Sequence, residues 1–382
     1  MTMTYTPTVE QAELVAAVRD FAESELAPHA VEWDQSKHFP VETLRLAGEM
    51  GLGGIYAGED VGGSGLTRAD AALIFEELGK GDTTIAAYIS IHNMVVWMID
   101  RFGDDEQRER WVPALASMEQ LGSYCLTEPG AGSDAAAITT SARRDGDEYV
   151  INGVKQFISG AGASSIYVVM ARTGGKGASG ITAIVVPDGT PGLSFGSNEK
   201  KMGWNAQPTR QVIFEDVRVP VSNALGEEGS GFSVAMGSLD GGRLNMAAVS
   251  LGGAQWAFDR AVDYLRSRTA FGAALIDNSA LQFRLADMEI ELQASRSLLA
   301  RAAEALDTGD PQKVALCAAA KKFVTDASFK VANDALQLHG GYGYLADYGI
   351  EKVVRDLRVH QILEGTNEIM SYIVGRAVVS RR

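Results

Sequence analysis

The sequence predicts an α+β protein that is mainly α-helical, with a β domain between two helical parts. Apolar residues follow a helical period from the N-terminus to about residue 121. Short β-branched runs separated by turns follow between residues 122 and 230. Helical spacing returns from residue 231, in long segments with short connections that are typical of an antiparallel bundle. We therefore predict domains at residues 1–121, 122–230 and 231–382.

The first part is predicted to be helical because its apolar residues recur at helical spacing. Leu14, Val18 and Phe21 share one face of a helix, and the same spacing recurs further along. The stretch 83–99 contains no Asp, Glu, Lys or Arg, but His92 and several small polar residues interrupt its apolar sequence. It therefore predicts a buried helix and not a membrane span.

The central part is predicted to be a set of short strands. Asn152-Gly153 lies between two apolar runs, which is the strongest short signal for a hairpin turn. Further strands are predicted at 166–171, 181–187, 193–195 and 211–219. Residues 175–180 fit the pattern GxGxxG, but a strand follows them where a dinucleotide site requires a helix. They predict a loop between two strands.

Composition and charge exclude several classes of function. The chain has 382 residues with 34 Lys+Arg and 49 Asp+Glu, so its net charge of −15 argues against nucleic acid or an anionic membrane as the main partner. Cys125 and Cys317 have neither the spacing of a zinc site nor that of a disulfide framework, and the histidines show no ligand spacing. The N-terminus lacks the features of a signal or transit peptide. We expect a soluble, cytoplasmic protein that binds no metal.

Two glycine-containing segments are candidate ligand sites. In the segment 124–134, glycines and a proline flank Thr127 and Ser133, so the loop can present backbone N–H groups and hydroxyls to a polar ligand. The alternative is a tight loop with side-chain caps. In the segment 337–344, Gly340-Gly341 ends a helix and permits close approach by a ligand or another backbone, although it also suffices as a helix stop.

Glu364 is the candidate catalytic residue. It stands among Ile362, Leu363 and Ile369, just before a helical run. A carboxylate in apolar surroundings has a raised pKa, which suits a general base working near neutral pH. The alternative from this segment alone is a solvated or capping glutamate.

These three segments, in this order, resemble the acyl-CoA dehydrogenase family, and the resemblance covers nearly the whole chain. It implies an N-terminal helical domain, a barrel-like central β domain, a C-terminal four-helix bundle, bound FAD and an acyl-CoA substrate. Two alternatives within the resemblance are a non-catalytic FAD-binding scaffold and an oxidase that reduces oxygen directly.

The resemblance assigns an FAD site shared between subunits. Leu126 and Thr127 would contact the flavin ring, Phe157 would cover it, and Arg268 would reach the pyrophosphate of a neighbouring subunit's FAD. Such sharing implies a homo-oligomer, in this family a tetramer built as a dimer of dimers. The implied cofactor residues are Cys125, Leu126, Thr127, Gly132, Ser133, Phe157, Ile158, Ser159, Arg268, Phe271, Asn278, Gln337, Leu338, Gly340, Gly341, Thr366 and Glu368.

The same resemblance makes Glu364 the base that removes the α-proton of the thioester. Some family members carry the base elsewhere, at the position of Gly242 in this chain, which has no carboxylate. The implied substrate residues are Ser133, Asp240, Arg243, Gly365 and Arg376.

Residues 189–210 and 358–368 indicate which acyl group is expected, because both stretches resemble family members that act on short branched acyl groups. The expected reaction converts isobutyryl-CoA to methacrylyl-CoA in valine degradation, with electrons passed to electron transfer flavoprotein. Short straight-chain and 2-methylbutyryl substrates remain open, since one methylene is worth only about 1–3 kcal/mol of discrimination in an apolar pocket.

Overall fold

A computed structural model describes residues 7–380, and it confirms the predicted mainly helical α+β class. The N-terminal part contains α1 to α6 and the C-terminal part contains α7 to α11. Their bounds are α1 (Val9–Phe21), α2 (Ala30–Ser36), α3 (Val41–Glu49), α4 (Arg68–Gly81), α5 (Thr83–Phe102), α6 (Asp105–Ala116), α7 (Gly231–Ser267), α8 (Ser279–Asp307), α9 (Lys313–Leu338), α10 (Ile350–His360) and α11 (Asn367–Val379).

Side-chain caps begin four of the N-terminal helices, α1, α4, α5 and α6. Thr8 caps α1 because its Oγ1 accepts a hydrogen bond from the backbone N–H of Gln11. The Gln11 side-chain oxygen in turn accepts the backbone N–H of Thr8. Val18 and Phe21 are buried, as predicted. α5 is a buried helix that covers the predicted stretch 83–99, and none of the helices within residues 7–380 is long and apolar enough to cross a membrane.

The central part forms an eight-stranded sheet in the order β6-β7-β3-β2-β4-β5-β8, with β1 paired in parallel to β4. All four of the further predicted strands are present, at β4, β5, β6 and β7. The bounds are β1 (Gly122–Cys125), β2 (Ser141–Asp145), β3 (Glu148–Ser159), β4 (Ile166–Arg172), β5 (Ile181–Pro187), β6 (Leu193–Phe195), β7 (Thr209–Pro220) and β8 (Ala224–Leu225); β9 (Thr269–Ala270) and β10 (Ala273–Ala274) form a separate small hairpin.

The hairpin turn predicted at Asn152-Gly153 is wrong. β3 runs through both residues as one strand, and the register with β7 shifts between Ile151 and Gly153 as a bulge. Gly153 has φ +146°, and the Asn152 side chain exchanges two 2.9 Å hydrogen bonds with Asp216. Pairing with β2 on one side and β7 on the other outweighs the local turn preference. The GxGxxG segment is the loop between β4 and β5, as predicted.

The C-terminal helices assemble around α9, against which α7, α8, α10 and α11 all pack. α7 also packs against α4, so the bundle and the N-terminal helices share one core. Close approach of α4 and α7 depends on glycine, because a side chain at Gly79 would lie 2.5 Å from the Val249 carbonyl oxygen and one at Gly252 would meet the Glu76 carbonyl. This packing brings α5 and α7 beside the segment between α10 and α11 that carries Glu364.

Candidate active site

Glu364 lies in the short connection between α10 and α11, in a backbone conformation that L-residues rarely adopt. Glu364 has φ +55° and Gly365 has φ +91°. Thr366 then caps α11 by accepting the Ile369 N–H at 3.4 Å. The left-handed turn reverses the chain before the new helix starts, and it directs the glutamate side chain inward.

The Glu364 residue is partly exposed as a whole, but one of its carboxylate oxygens is buried. Its Oε2 is buried and has no hydrogen-bond partner among the described residues. Burial raises the pKa of Glu364 to about 7, although Lys321 and Arg243 lower it in part. Tyr124 also faces the site: burial raises the pKa of its phenol, and the charge of Glu364 raises it further. A buried carboxyl that titrates near neutral pH can accept a proton from a weakly acidic carbon.

Gly242 on α7 makes the space that the carboxylate occupies. A methyl group at this position would lie 2.5 Å from Glu364 Oε2 and 2.6 Å from Met94 Sδ, which comes from α5. The Glu364 carboxylate can therefore occupy its position only because residue 242 on α7 has no side chain.

Arg243 and Asp240, the predicted substrate residues of α7, form a buried ion pair with 2.7 Å between Nη1 and Oδ1. Arg243 Nε also donates to the Glu364 carbonyl oxygen at 3.3 Å, so the structure brings this pair to the base. Arg376, the other cationic candidate, is exposed on α11 with its guanidinium 5.6 Å from the ring of Tyr372.

The predicted flavin loop is shaped by a buried ion pair that the sequence did not reveal. Lys155 Nζ on β3 donates to the Leu126 carbonyl and to Glu128 Oε1, both at 2.9 Å, and its side chain is fully buried. Glu128 also accepts bonds from the backbone N–H of Thr139 and Thr140. Burial alone would raise the pKa of Glu128, but Lys155 and these bonds lower it to about 2. The loop is thus fixed in shape before any ligand binds.

The side chains at the predicted flavin positions divide into inward and outward groups. Cys125 and Ile158 are buried in the sheet, so their side chains are not exposed to a ligand. Phe157 is 64% exposed with φ +60°, and Ser133 is exposed beside Gly132, where a methyl group would have no described neighbour within 4 Å. An exposed aromatic ring next to an open glycine loop fits a surface that a planar cofactor covers.

The remaining cofactor candidates gather at the far end of α9. Arg268, Gly340 and Gly341 line one cavity of about 330 Å³ together with Tyr264, His339, Tyr342 and Leu345. Phe271 is fully exposed nearby on the β9–β10 hairpin, Gln337 is exposed and Leu338 is buried.

Two other predicted cofactor residues lie at the starts of helices. The Asn278 side chain accepts the Ala280 N–H at 2.9 Å and so caps α8. Glu368 is exposed in the first turn of α11. Among the described residues, no group of three or more His, Cys, Asp or Glu side chains could hold a metal ion.

Comparison with known proteins decides the family. The acyl-CoA dehydrogenase N-terminal, middle and C-terminal domain models match residues 8–119, 123–217 and 229–379. The chain belongs to the acyl-CoA dehydrogenase family. An acyl-CoA dehydrogenase is an FAD-dependent oxidoreductase, and the open glycine positions, the exposed Phe157 and the cavity beside Arg268 fit that cofactor.

Individual relatives agree with this assignment over almost the full chain. Mitochondrial isobutyryl-CoA dehydrogenase of Bos taurus is 55% identical over 370 residues, which cover 97% of this chain and 89% of the relative. The solved butyryl-CoA dehydrogenase of Megasphaera elsdenii is 38% identical with a TM-score of 0.96, over 99% of this chain and 100% of that one. A structure described as the electron transferring flavoprotein of Acidaminococcus fermentans is 38% identical with a TM-score of 0.97, over 99% and 100%.

Sequence reasoning missed several groups around this acyl-CoA dehydrogenase site. Tyr124 and Met94 line the carboxylate, Lys155 fixes the flavin loop, and Lys321 on α9 donates to the Gly365 carbonyl at 2.9 Å. One sequence signal could have indicated Lys321 and Lys155. Each occupies a position of its helix or strand at which the spacing of apolar residues predicts a buried side chain.

Proposed function

We propose that this acyl-CoA dehydrogenase oxidises isobutyryl-CoA to methacrylyl-CoA with Glu364 as the catalytic base. The observation that carries the proposal is the buried, unpartnered Oε2 of Glu364, on a carboxyl whose pKa is raised to about 7 by burial. The acyl group is proposed from the 55% identity to the bovine isobutyryl-CoA dehydrogenase. The broader acyl-CoA dehydrogenase activity follows from the family.

FAD would be held by two parts of the chain. Leu126, Thr127 and Ser133 of the loop after β1 and the exposed Phe157 would contact the flavin, while Arg268 would pair with the pyrophosphate. Bound FAD supplies the acceptor for the hydride that leaves Cβ of the acyl chain.

The chain's own residues handle the proton. Glu364 Oε2 takes the proton from Cα, the electron pair of that C–H bond becomes the Cα=Cβ double bond, and the Cβ hydrogen leaves with its own electron pair. A thioester α-proton is weakly acidic, so the negative charge that develops on the thioester oxygen needs a hydrogen-bond donor. We assign that role to the backbone N–H of Glu364. Met94 and Tyr124 keep water away from the carboxylate and so maintain its basicity.

A panel of straight and branched C3 to C8 acyl-CoAs tests the acyl preference. kcat/KM is measured for each with an artificial electron acceptor, on protein of known FAD content. We expect isobutyryl-CoA to give the highest value. A value for butyryl-CoA well above that for isobutyryl-CoA would overturn the isobutyryl assignment and leave the acyl-CoA dehydrogenase activity standing, in line with the similarity to the Megasphaera enzyme.

The assembly and the cellular context are also part of the proposal. The fully exposed Phe271 and the cavity beside Arg268 support a homotetramer in which FAD is shared between subunits. Electron transfer flavoprotein is the proposed acceptor and the cytoplasm the proposed location, with domains dividing after residues 121 and 230. A native mass equal to four chains supports the tetramer, and a monomer that retains FAD contradicts the shared site.

A further inference from the structure

Two buried cations hold the backbone of the turn that carries Glu364. Arg243 Nε on α7 donates to the carbonyl oxygen of Glu364 at 3.3 Å. Lys321 Nζ on α9 donates to the next carbonyl oxygen, that of Gly365, at 2.9 Å. The Lys321 side chain is completely buried, and an ammonium group in such a place needs specific partners to offset its lost hydration.

The turn needs such support because its backbone is strained. Glu364 at φ +55° is in the left-handed region, which costs free energy for any residue with a side chain. Strain of this kind persists only where the surroundings hold it in place. Hydrogen bonds to two consecutive carbonyls, from two different helices, select this backbone conformation.

Lys321 also fixes the start of the helix that follows the turn. Its Nζ donates a second bond to Asn367 Oδ1 at 2.9 Å. Asn367 Nδ2 donates in turn to Asp326 Oδ1 at 2.8 Å, and Gln361 Nε2 donates to the same oxygen at 2.7 Å from the end of α10. Lys321 is therefore at the centre of a polar network that joins α9, α10 and α11 around Glu364.

Lys321 and Glu364 also act on each other through their charges. Burial lowers the pKa of Lys321 to about 8, against the opposing effect of the Glu364 carboxylate. Burial raises the pKa of Glu364 to about 7, against the opposing effect of Lys321. The titratable and charged groups that face this pair are Arg243 and Asp240 from α7, Tyr124 from β1, Asp326 from α9, His360 from α10 and Glu368 from α11.

We propose that Lys321 is a positioning residue for the reaction: its ammonium group holds the Glu364–Gly365 turn in the reactive conformation and favours the ionised form of the Glu364 carboxyl group. The kinetic part of this inference rests on the proposed function, in which Glu364 is the base. The structural and titration parts concern only the chain's own residues and can be tested without substrate.

The test compares Lys321→Gln and Lys321→Met with the wild type as FAD-bound protein. Gln keeps an N–H donor without the charge, whereas Met removes both. The Glu364 pKa is read from the carboxyl ¹³C NMR signal that Glu364→Gln removes. Because the ammonium stabilises the ionised form, we expect both variants to raise that pKa by about one unit. The pH profile of flavin reduction by isobutyryl-CoA should move by the same amount, with a lower plateau for Met than for Gln.

Lys330→Met is the matched control, since Lys330 lies on the same helix but is exposed and pairs with Glu291 at 2.8 Å. It should leave the Glu364 pKa unchanged. An unchanged Glu364 pKa in both Lys321 variants would overturn the proposal.

A reciprocal measurement covers the case in which the Lys321 variants do not fold. Glu364→Gln removes the carboxylate that holds up the Lys321 pKa, so the ¹⁵N signal of Lys321 should titrate at lower pH in this variant than in the wild type. Equal Lys321 pKa values would contradict the coupling. Coupling without any reduction of FAD by acyl-CoAs would refute the proposed function and leave the role of Lys321 in the turn intact.

Discussion

Gly242→Ala is a direct test of how closely the site is built around the Glu364 carboxylate. The added methyl group would lie 2.5 Å from Glu364 Oε2, whereas ordinary contact begins near 3.4 Å. The carboxylate must therefore move by about 1 Å, because Met94 Sδ, at 2.6 Å from the same methyl, blocks the other side. A displacement of about 1 Å at a reacting group costs roughly 100-fold in rate. We expect a loss of this size in the rate of proton removal.

The assay is anaerobic stopped-flow reduction of the bound flavin by isobutyryl-CoA, on protein with equal FAD content. Gly237→Ala on the same helix is the control, since its methyl group would first meet the Trp97 ring at 3.3 Å and needs only a slight adjustment. It should reduce at nearly the wild-type rate. If Gly242→Ala reduced within a few-fold of the wild type, the tight packing of the carboxylate would be refuted.

Three further predictions follow from the same geometry. Because the pKa of Glu364 is about 7 and the base must be ionised, flavin reduction should slow about tenfold per pH unit below 7 and level off above it; a flat profile between pH 5 and 9 would contradict this. Lys155→Met leaves Glu128 buried without its cation, so thermal or denaturant unfolding should show a loss of about 3 kcal/mol. In the wild type the contribution of Glu128 is fully present above its unfolded pKa of 4.5 and is lost as pH falls towards 2, so the difference between the two proteins should shrink in acid. Gly341→Ala should fold normally but bind FAD more weakly in a cofactor titration, whereas Gly175→Ala, equally free of neighbours within 4 Å, should leave FAD binding unchanged.

The general architecture could be predicted because it depends on periodic signals. Apolar spacing located the helical parts, and β-branched runs located four strands of the sheet. The hairpin turn predicted at Asn152-Gly153 is wrong because the local turn preference of these residues takes no account of the two neighbouring strands that pair with β3. A bulge and a hairpin turn use similar residues, and only long-range pairing distinguishes them.

The site was predictable only in part for a related reason. Glu364 stood out because it is a carboxylate in an apolar segment next to a glycine. Lys321 lies 43 residues before it in sequence and reaches the turn only when α9 packs against α11. Met94 carries no chemical signal, and the resemblance indicates Gly242 only as a position without a carboxylate, because the role of both residues is the space that they leave or fill. Contacts between distant helices determine these roles, and no local pattern encodes them.

The catalytic role of Glu364 is tested most directly by anaerobic flavin reduction in Glu364→Gln. The variant keeps the size and shape of the side chain, so it should fold and retain FAD as the wild type does. We expect isobutyryl-CoA to bleach the wild-type flavin rapidly and the variant more slowly by several orders of magnitude, at every pH. Bleaching of the variant at the wild-type rate would show that another group removes the proton.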